Sequence, residues 1–347
     1  MPDLQSPPQK NTTLETVAQE AGVSMKSVSR VLNGEPFVSE KMRLKVNDAI
    51  AKLEFKPNMA ARQLRGQRSY SVAVIYEPPA SEFLTGVLEG VLPACREASY
   101  KLLLEPLAAT ESRKHIFKMI ETRAADGFIL LPPLSEDPSL ISAIINANCA
   151  VVLVASSIDI EHHEPSVSKV GIDDFSAGYE LGQYFIEHGH THIGYIGLRE
   201  QHVMANRRGE GLQAAMLDAG IPKENFRHAD GYATFESGFE AAQQLLSPKV
   251  PPTAIFAGND YMAAGVISCA TGMGLKIPEN LSVAGFDGAD LSEMFVPPFM
   301  TIKQPLKEYG QWAVKRLLET LAAPEKNGVE ESLSYTLLPR NSVRNIT

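Results

Sequence analysis

A chain of 347 residues with 44% hydrophobic side chains has material for more than one buried core, so two or three globular units are expected. No apolar run approaches the roughly 18 residues of a membrane helix, and nothing near Met1 has the charged and apolar regions of a secretory leader, so a cytoplasmic location without a membrane partner is expected. Cys95, Cys149 and Cys269 are far apart in apolar segments, which suits neither a disulfide framework nor a metal cluster.

The net charge of −9 argues against a nucleic-acid partner until it is divided along the chain. Residues 1–68 carry eleven Lys and Arg against seven Asp and Glu, a net of +4, which leaves 21 against 34, or −13, for the rest. A small basic head before a large acidic body is the asymmetry expected when one end meets phosphates.

Residues 1–11, with three prolines, read as a disordered lead. Thr12 and Glu15 have capping-box spacing and predict a helix with Leu14, Val17, Ala18 and Ala21 on one stripe, ended by Gly22. Ser24 is placed to cap a second helix that turns Val28, Val31 and Leu32 inward and leaves Met25, Lys26, Ser27, Ser29 and Arg30 on or near its outer face. After an Asn33-Gly34 turn, Ser39 should cap a third helix packing through Met42, Val46, Ala49, Ile50 and Leu53. Two readings fit: a three-helix packing unit with a polar face, or a helix-turn-helix whose second helix enters a DNA major groove. In the second, Lys26 and Arg30 reach base edges or phosphates, while Ser24, Ser27 and Asn33 suit phosphates or short base contacts. A short helix candidate follows Pro57-Asn58 and is too brief to stand alone. Arg62, Arg65 and Arg68 give it a phosphate-seeking face; Leu64 either wedges between base steps of a minor groove or packs on the next domain.

From Val72 onward, short apolar runs alternate with helical patterns. Strands are predicted at 72–76, 101–104, 127–131, 150–155, 169–172, 192–196, 254–257 and 281–286. Helices are predicted at 84–99, 112–124, 138–146, 177–187, 208–219, 235–246 and 262–272. Parallel, helix-covered sheets in two similar lobes follow, with a cleft at the carboxyl ends of the strands. Asp173, Asp174, Asn259, Asp260 and Asp287 lie at such ends, Arg208 opens a helix after a strand, and Gln304 follows a crossover back to the first lobe. Carboxylates and an arginine around one cleft suit a hydroxyl-rich ligand; helix capping is the competing use of Asp260 and Asp287. His162 and His163 lack companions for a metal site. No phosphate-cradling glycine loop and no nucleophile elbow is found, so neither an enzyme nor a bound cofactor is expected.

The run from Thr13 to Ser24, TLETVAQEAGVS, continuing to Ser27-Val28-Ser29-Arg30-Val31-Leu32-Asn33-Gly34, closely resembles the head of the lactose/galactose-repressor (LacI/GalR) family, as do Lys56-Pro57-Asn58 and Ala60-Ala61-Arg62-Gln63-Leu64. The resemblance implies a small all-α helix-turn-helix head at 12–56 and a hinge helix and linker at 57–68. It implies a two-lobed α/β effector domain of the periplasmic-binding-protein type at 70–347, with a first lobe of about 70–168 and 301–332 and a second of 169–300 and 333–347. Carried over by position, Met25 and Lys26 fall where the family varies its base-reading side chains, Arg30 on a base or phosphate contact, and Leu64 on the wedging hinge leucine; Ser24, Ser27, Asn33 and Asn58 complete the implied DNA face. In the body, Arg208 with Gly211, Asn259-Asp260, Gly285-Phe286-Asp287 and Thr301-Ile302-Lys303-Gln304 match effector-domain landmarks, and Phe83 and Leu84 match the apolar rim; Asp173 is counted among the effector contacts from its place at a strand end. Ala233 stands where many relatives carry a stacking aromatic, with Tyr232 and Phe235 as possible substitutes, and Gly288 replaces a common polar residue. The implied function is a repressor that binds palindromic double-stranded operator DNA as a homodimer, tuned by a small-molecule effector. A sugar or glycoside is favoured over a purine, because the candidates are carboxylates and amides with no planar clamp. The lack of a leucine-heptad tail predicts dimers and not tetramers. A transport solute-binding protein would share the body, but the basic head opposes that reading.

Overall fold

The computed structural model describes residues 12–32, 38–53, 55, 68–78, 82–108, 110–159, 167–324 and 328–346. Asn33, Asn58, Leu64, the short helix candidate and the His162-His163 pair lie outside the described residues. The chain divides into two units, Met1–Arg68 and Ser69–Thr347.

The first unit holds α1 (Leu14–Ala21), α2 (Met25–Leu32) and α3 (Glu40–Lys52) around Val17, Ala18, Ala21, Val28, Val31, Val46, Ala49 and Phe55. The capping box sits one residue later than the spacing of Thr12 and Glu15 suggested. Thr13 caps α1, accepting from the Thr16 amide at 3.3 Å, and the Thr16 hydroxyl accepts from the Thr13 amide at 2.8 Å. Thr16, at the third helical position, performs the return bond expected of Glu15. Thr12 instead donates its hydroxyl to the Leu53 carbonyl, tying the start of α1 to the end of α3. Gly22, at φ 65°, closes α1 in the left-handed conformation that only glycine adopts without strain. Ser24 and Ser39 accept from the amides three residues on, at 3.1 and 3.4 Å, and so start α2 and α3.

The second unit opens with β1 (Ser71–Tyr76), α4 (Glu82–Glu97), β2 (Lys101–Pro106), α5 (Thr110–Glu121), β3 (Gly127–Leu130), α6 (Pro138–Asn146), β4 (Ala150–Val154) and β5 (Val167–Gly171). The second lobe follows with α7 (Asp174–Glu187), β6 (Ile193–Gly197), α8 (Val203–Asp218), β7 (Phe226–Asp230), α9 (Phe235–Leu246), β8 (Ala254–Ala257), α10 (Asp260–Gly272), β9 (Ser282–Ala284) and α11 (Leu291–Met294). The chain then returns through β10 (Thr301–Lys303) to α12 (Leu306–Ala322), β11 (Glu330–Ser332) and β12 (Thr336–Leu338). The first sheet is parallel in the order β11-β5-β4-β3-β1-β2, the second parallel in the order β7-β6-β8-β9, and β10 pairs antiparallel with β12.

The continuous apolar runs of the central strands reflect burial on both faces. In the first sheet Val72, Val74, Ile129 and Val152 point to one core and Ala73, Ile75, Phe128 and Val151 to the other, as the two-residue period of a strand requires. Three of the boundaries that differ from the sequence reading bear on the lobes and the cleft. The strand near Lys169, expected to open the second lobe, is bonded between β4 and β11 in the first sheet. Helix α8 begins at Val203, which puts Arg208 in its second turn and not at its start. The strand expected over 281–286 stops at Ala284, beyond which the Gly285 and Asp287 amides donate to Met300 and Ile302 across the crossover. No described helix is long and apolar enough to cross a membrane.

Helices α4 and α12 meet backbone to backbone. A Cβ at Gly90 would overlap the Lys307 carbonyl, and one at Gly310 the Val87 carbonyl. The change Gly90→Ala must therefore part the helices, and it is expected to lower stability by about 1 to 3 kcal/mol, read as a fall in the urea midpoint.

Candidate ligand-binding cleft and DNA-facing helix

The carboxyl ends of both sheets border a cleft. Phe83, Pro132, Glu136 and Ala155 line it from the first lobe. Leu198, the turn from His202 to Ala205, Arg208, Ala233, Asn259 and Asp287 line it from the second. Its polar end is built around Arg208.

Arg208 reaches that position because α7 and α8 pack without intervening side chains. A Cβ on Gly178 would strike the Arg208 backbone, and one on Gly211 the Phe175 carbonyl. The buried guanidinium donates from Nε to Asp174 at 2.7 Å and from Nη1 to the Gly258 carbonyl at 2.6 Å, and lies 3.5 Å from the centroid of the Phe286 ring. Burial pushes the Asp174 carboxyl above its ordinary value, and the charge of Arg208 opposes that rise. The second oxygen of Asp174 has no hydrogen-bond partner, so the ion pair carries nearly all of the compensation for a buried carboxylate.

Asp287 stands beside this pair at φ 111°, a conformation that is strained for any residue with a side chain. It is held there by its own amide, which donates to Ile302 at 2.9 Å, and by Gln304, whose Nε2 donates to Oδ1 at 2.8 Å. Tyr309 in turn donates to the Gln304 carbonyl oxygen at 3.3 Å. Burial raises the Asp287 carboxyl to about 6, against the lowering influence of Arg208 and the Gln304 hydrogen bond. A side chain at Gly288 would collide with Lys303, which explains why no polar residue occupies that position.

Four residues singled out in the sequence, Phe83, Arg208, Asn259 and Asp287, come together in the lining. Asn259 is also structural: it caps α10 by accepting from Met262 at 2.9 Å and donates to the Ala233 carbonyl at 3.1 Å. Asp260 is buried behind the lining, accepting from the Ala289 amide and the Thr301 hydroxyl, each at 2.7 Å. Gln304 backs Asp287, and Leu84 is buried in the first-lobe core. Asp173 is not brought into the lining. It is an exposed cap on α7, engaged by the amide and hydroxyl of Ser176 at 3.0 and 2.6 Å, while Asp174 turns inward to Arg208. Neither Tyr232 nor Phe235 lines the cleft; Tyr232 lies against Arg199 at 5.8 Å, so Phe83 is the aromatic of the lining.

Glu136 and His202 escaped the sequence reading although both follow strand ends. The Glu136 carboxylate accepts from the Ser157 amide and hydroxyl at 2.6 and 2.8 Å. Burial, then the fields of Arg199 and Arg208, push His202 down to about 4 and keep it neutral at physiological pH.

In the first unit, the start of α2 presents Ser24, Met25 and Lys26 to solvent, with Ser27 and Arg30 partly exposed and Val28 and Val31 turned inward. Met25 is 56% exposed. The Ser24 and Ser27 hydroxyls lie 3.0 Å apart at the helix start.

Removing Arg208 alone strands Asp174. Arg208→Ala is expected to cost about 3 to 5 kcal/mol in chemical denaturation, and the double change with Asp174→Ala should recover part of that loss.

The chain matches the family model for bacterial regulatory proteins of the lacI family over residues 13–58 and that for a periplasmic binding protein-like domain over residues 183–343. It is 30% identical to catabolite control protein A of Priestia megaterium, covering 93% of this chain and 96% of that protein. Identity to the ribose operon repressor of Escherichia coli is 31%, covering 95% and 99%. The crystal structure of the lac repressor dimer bound to operator and the anti-inducer ONPF matches with a TM-score of 0.73 and 26% identity, covering 96% of this chain and all of that one. A helix-turn-helix head, a two-lobed α/β body and these matches together place the chain in the LacI family, as a transcriptional repressor with an effector-binding domain.

Proposed function

We propose that this repressor acts in the cytoplasm as a homodimer on a near-palindromic operator, and that a sugar or glycoside held in the cleft between the lobes sets its DNA affinity. The observation that carries the reading is that both lobes line the cleft, Phe83 and Glu136 from one and Arg208 and Asp287 from the other. A ligand seated there contacts both lobes at once, so its affinity depends on their arrangement, which is the requirement for a ligand to shift a conformational equilibrium. The chemistry suits a carbohydrate: carboxylates, an amide and a guanidinium serve hydroxyls, while Phe83, Leu198 and Met204 cover the C–H faces. Asp287 extends the contact through Gln304 to Tyr309 on α12, which packs on the first lobe.

On the DNA side, Lys26 and Arg30 supply charge and donors, Ser24, Ser27, Asn33 and Asn58 engage phosphates or base edges, and Leu64 wedges into the minor groove. Met25 cannot donate a hydrogen bond, so its readout is apolar, suited to a thymine methyl. A dimer bound to operator is the assembly of the lac repressor structure that this chain resembles, which supports the same assembly here.

The reading is tested by titrating the full chain calorimetrically with sugars, glycosides and purines, then measuring operator binding with and without each ligand found. A sugar that binds and changes operator affinity is expected; a purine that does so alone would overturn the assignment. Replacing Arg30 with Ala should weaken operator binding by about 1 to 3 kcal/mol in fluorescence anisotropy and leave effector binding intact.

The effector's affinity should also depend on acidity. Asp287 titrates at about 6 in the free protein, and protonation removes an acceptor for ligand hydroxyls. Affinity is therefore expected to fall as pH drops below about 6, and Asp287→Asn should abolish the dependence in that window.

A further inference from the structure

At the polar end of the cleft one guanidinium meets two carboxylates: Arg208 pairs with Asp174 and feels the charge of Asp287. Glu136 lines the same cleft from the first lobe. The charge of Arg208 is already answered: Nε is held by Asp174 at 2.7 Å, Nη1 by the Gly258 carbonyl at 2.6 Å, and Phe286 covers one face at 3.5 Å. With Nε occupied, the side-on edge that grips a phosphate or carboxylate through two parallel N–H bonds is no longer whole.

Among the described residues, Arg208 is the cation in the lining itself. Arg199 and Arg113 stand at the outer mouth, where the first is paired with Glu77 at 2.7 Å and the second with Asp137 at 2.8 Å. The charge of Lys169 reaches Glu136, but its ammonium is directed to the Ile158 carbonyl at 3.0 Å and to Glu330 at 3.1 Å. His202 is neutral, and the fields of Asp174 and Glu82 reach Asp287 in addition to its own charge. The cleft is therefore negative overall, while its walls at Phe83, Pro132, Leu198 and Met204 are uncharged.

We propose that the effector is a neutral polyhydroxylated molecule and that the cleft excludes its phosphorylated and carboxylated counterparts. The inference rests on the cleft being the effector site. Like charges about 5 Å apart at a protein-like dielectric weaken binding by roughly a hundredfold or more, so the discrimination is electrostatic and needs no steric block. Glu136 is the residue most directly responsible, since it faces the cleft from the first lobe with no cation hydrogen-bonded to it.

The test is calorimetry on the full chain at pH 7.5 with matched pairs: glucose against glucose 6-phosphate and glucuronate, galactose against galacturonate, ribose against ribose 5-phosphate, and inosine against inosine monophosphate. A neutral member should bind, with each anionic counterpart weaker by roughly a hundredfold. Glu136→Gln, or Asp287→Asn if the first variant does not fold, should narrow that gap. An anionic compound binding as tightly as its neutral partner overturns the proposal, as does silence across the whole panel. Binding of inosine alone would remove the sugar assignment and leave the exclusion of anions standing.

Discussion

The ion pair between Arg208 and Asp174 is the constraint on which the rest of the cleft depends. A carboxylate this deeply buried is tolerable only with a counter-charge in contact, and the guanidinium is tolerable only because Asp174, the Gly258 carbonyl and the Phe286 ring surround it. Satisfying those contacts fixes α8 against α7, and the glycines at 178 and 211 are what let the two backbones come close enough. The position of α8 then decides where His202 and Met204 stand. Tyr195, donating to the Ala205 carbonyl at 3.2 Å, anchors the same turn to β6.

Asp287 shows how the crossover enters the site. Its left-handed backbone costs energy that the neighbouring bonds to Ile302 and Gln304 offset, so the residue is held in one orientation. Because Gln304 belongs to the strand-to-helix passage back to the first lobe, the polar end of the cleft and the junction of the lobes share atoms. The cleft lining and the lobe geometry are coupled by construction at this point.

Much of the architecture was legible in the pattern of residues. The central strands are apolar on both faces and bounded by helical periodicities, so the two parallel sheets could be read directly. Strand β7, with the sequence Phe226-Arg227-His228-Ala229-Asp230, is a polar edge strand, and β11 is exposed throughout; neither carries a hydrophobic period from which it could be read. Helix α12 does carry such a period, in Leu306, Tyr309, Ala313 and Leu317, and could have been assigned on that evidence. Within the site, strand ends located Arg208, Asn259 and Asp287, but adjacent carboxylates at 173 and 174 are equivalent to a reader of sequence. Helical geometry turns one outward as a cap and the next inward to an arginine 34 positions away, a distinction set by tertiary contact alone. Glu136 and His202 sit in turns without periodicity, where only the assembled lobes show what they face.

The bracing around the first turn of α10 has a consequence for how binding preferences change. Asn259 and Asp260 tie the Ala233 turn, the Ala289 turn and β10 to one helix end through side-chain bonds. A molecule settling on this floor therefore meets a surface already frozen during folding and pays little entropy to order it. New preferences must arise by exchanging wall residues such as Met204 or Ala233, because altering the braces would soften the floor for every occupant alike.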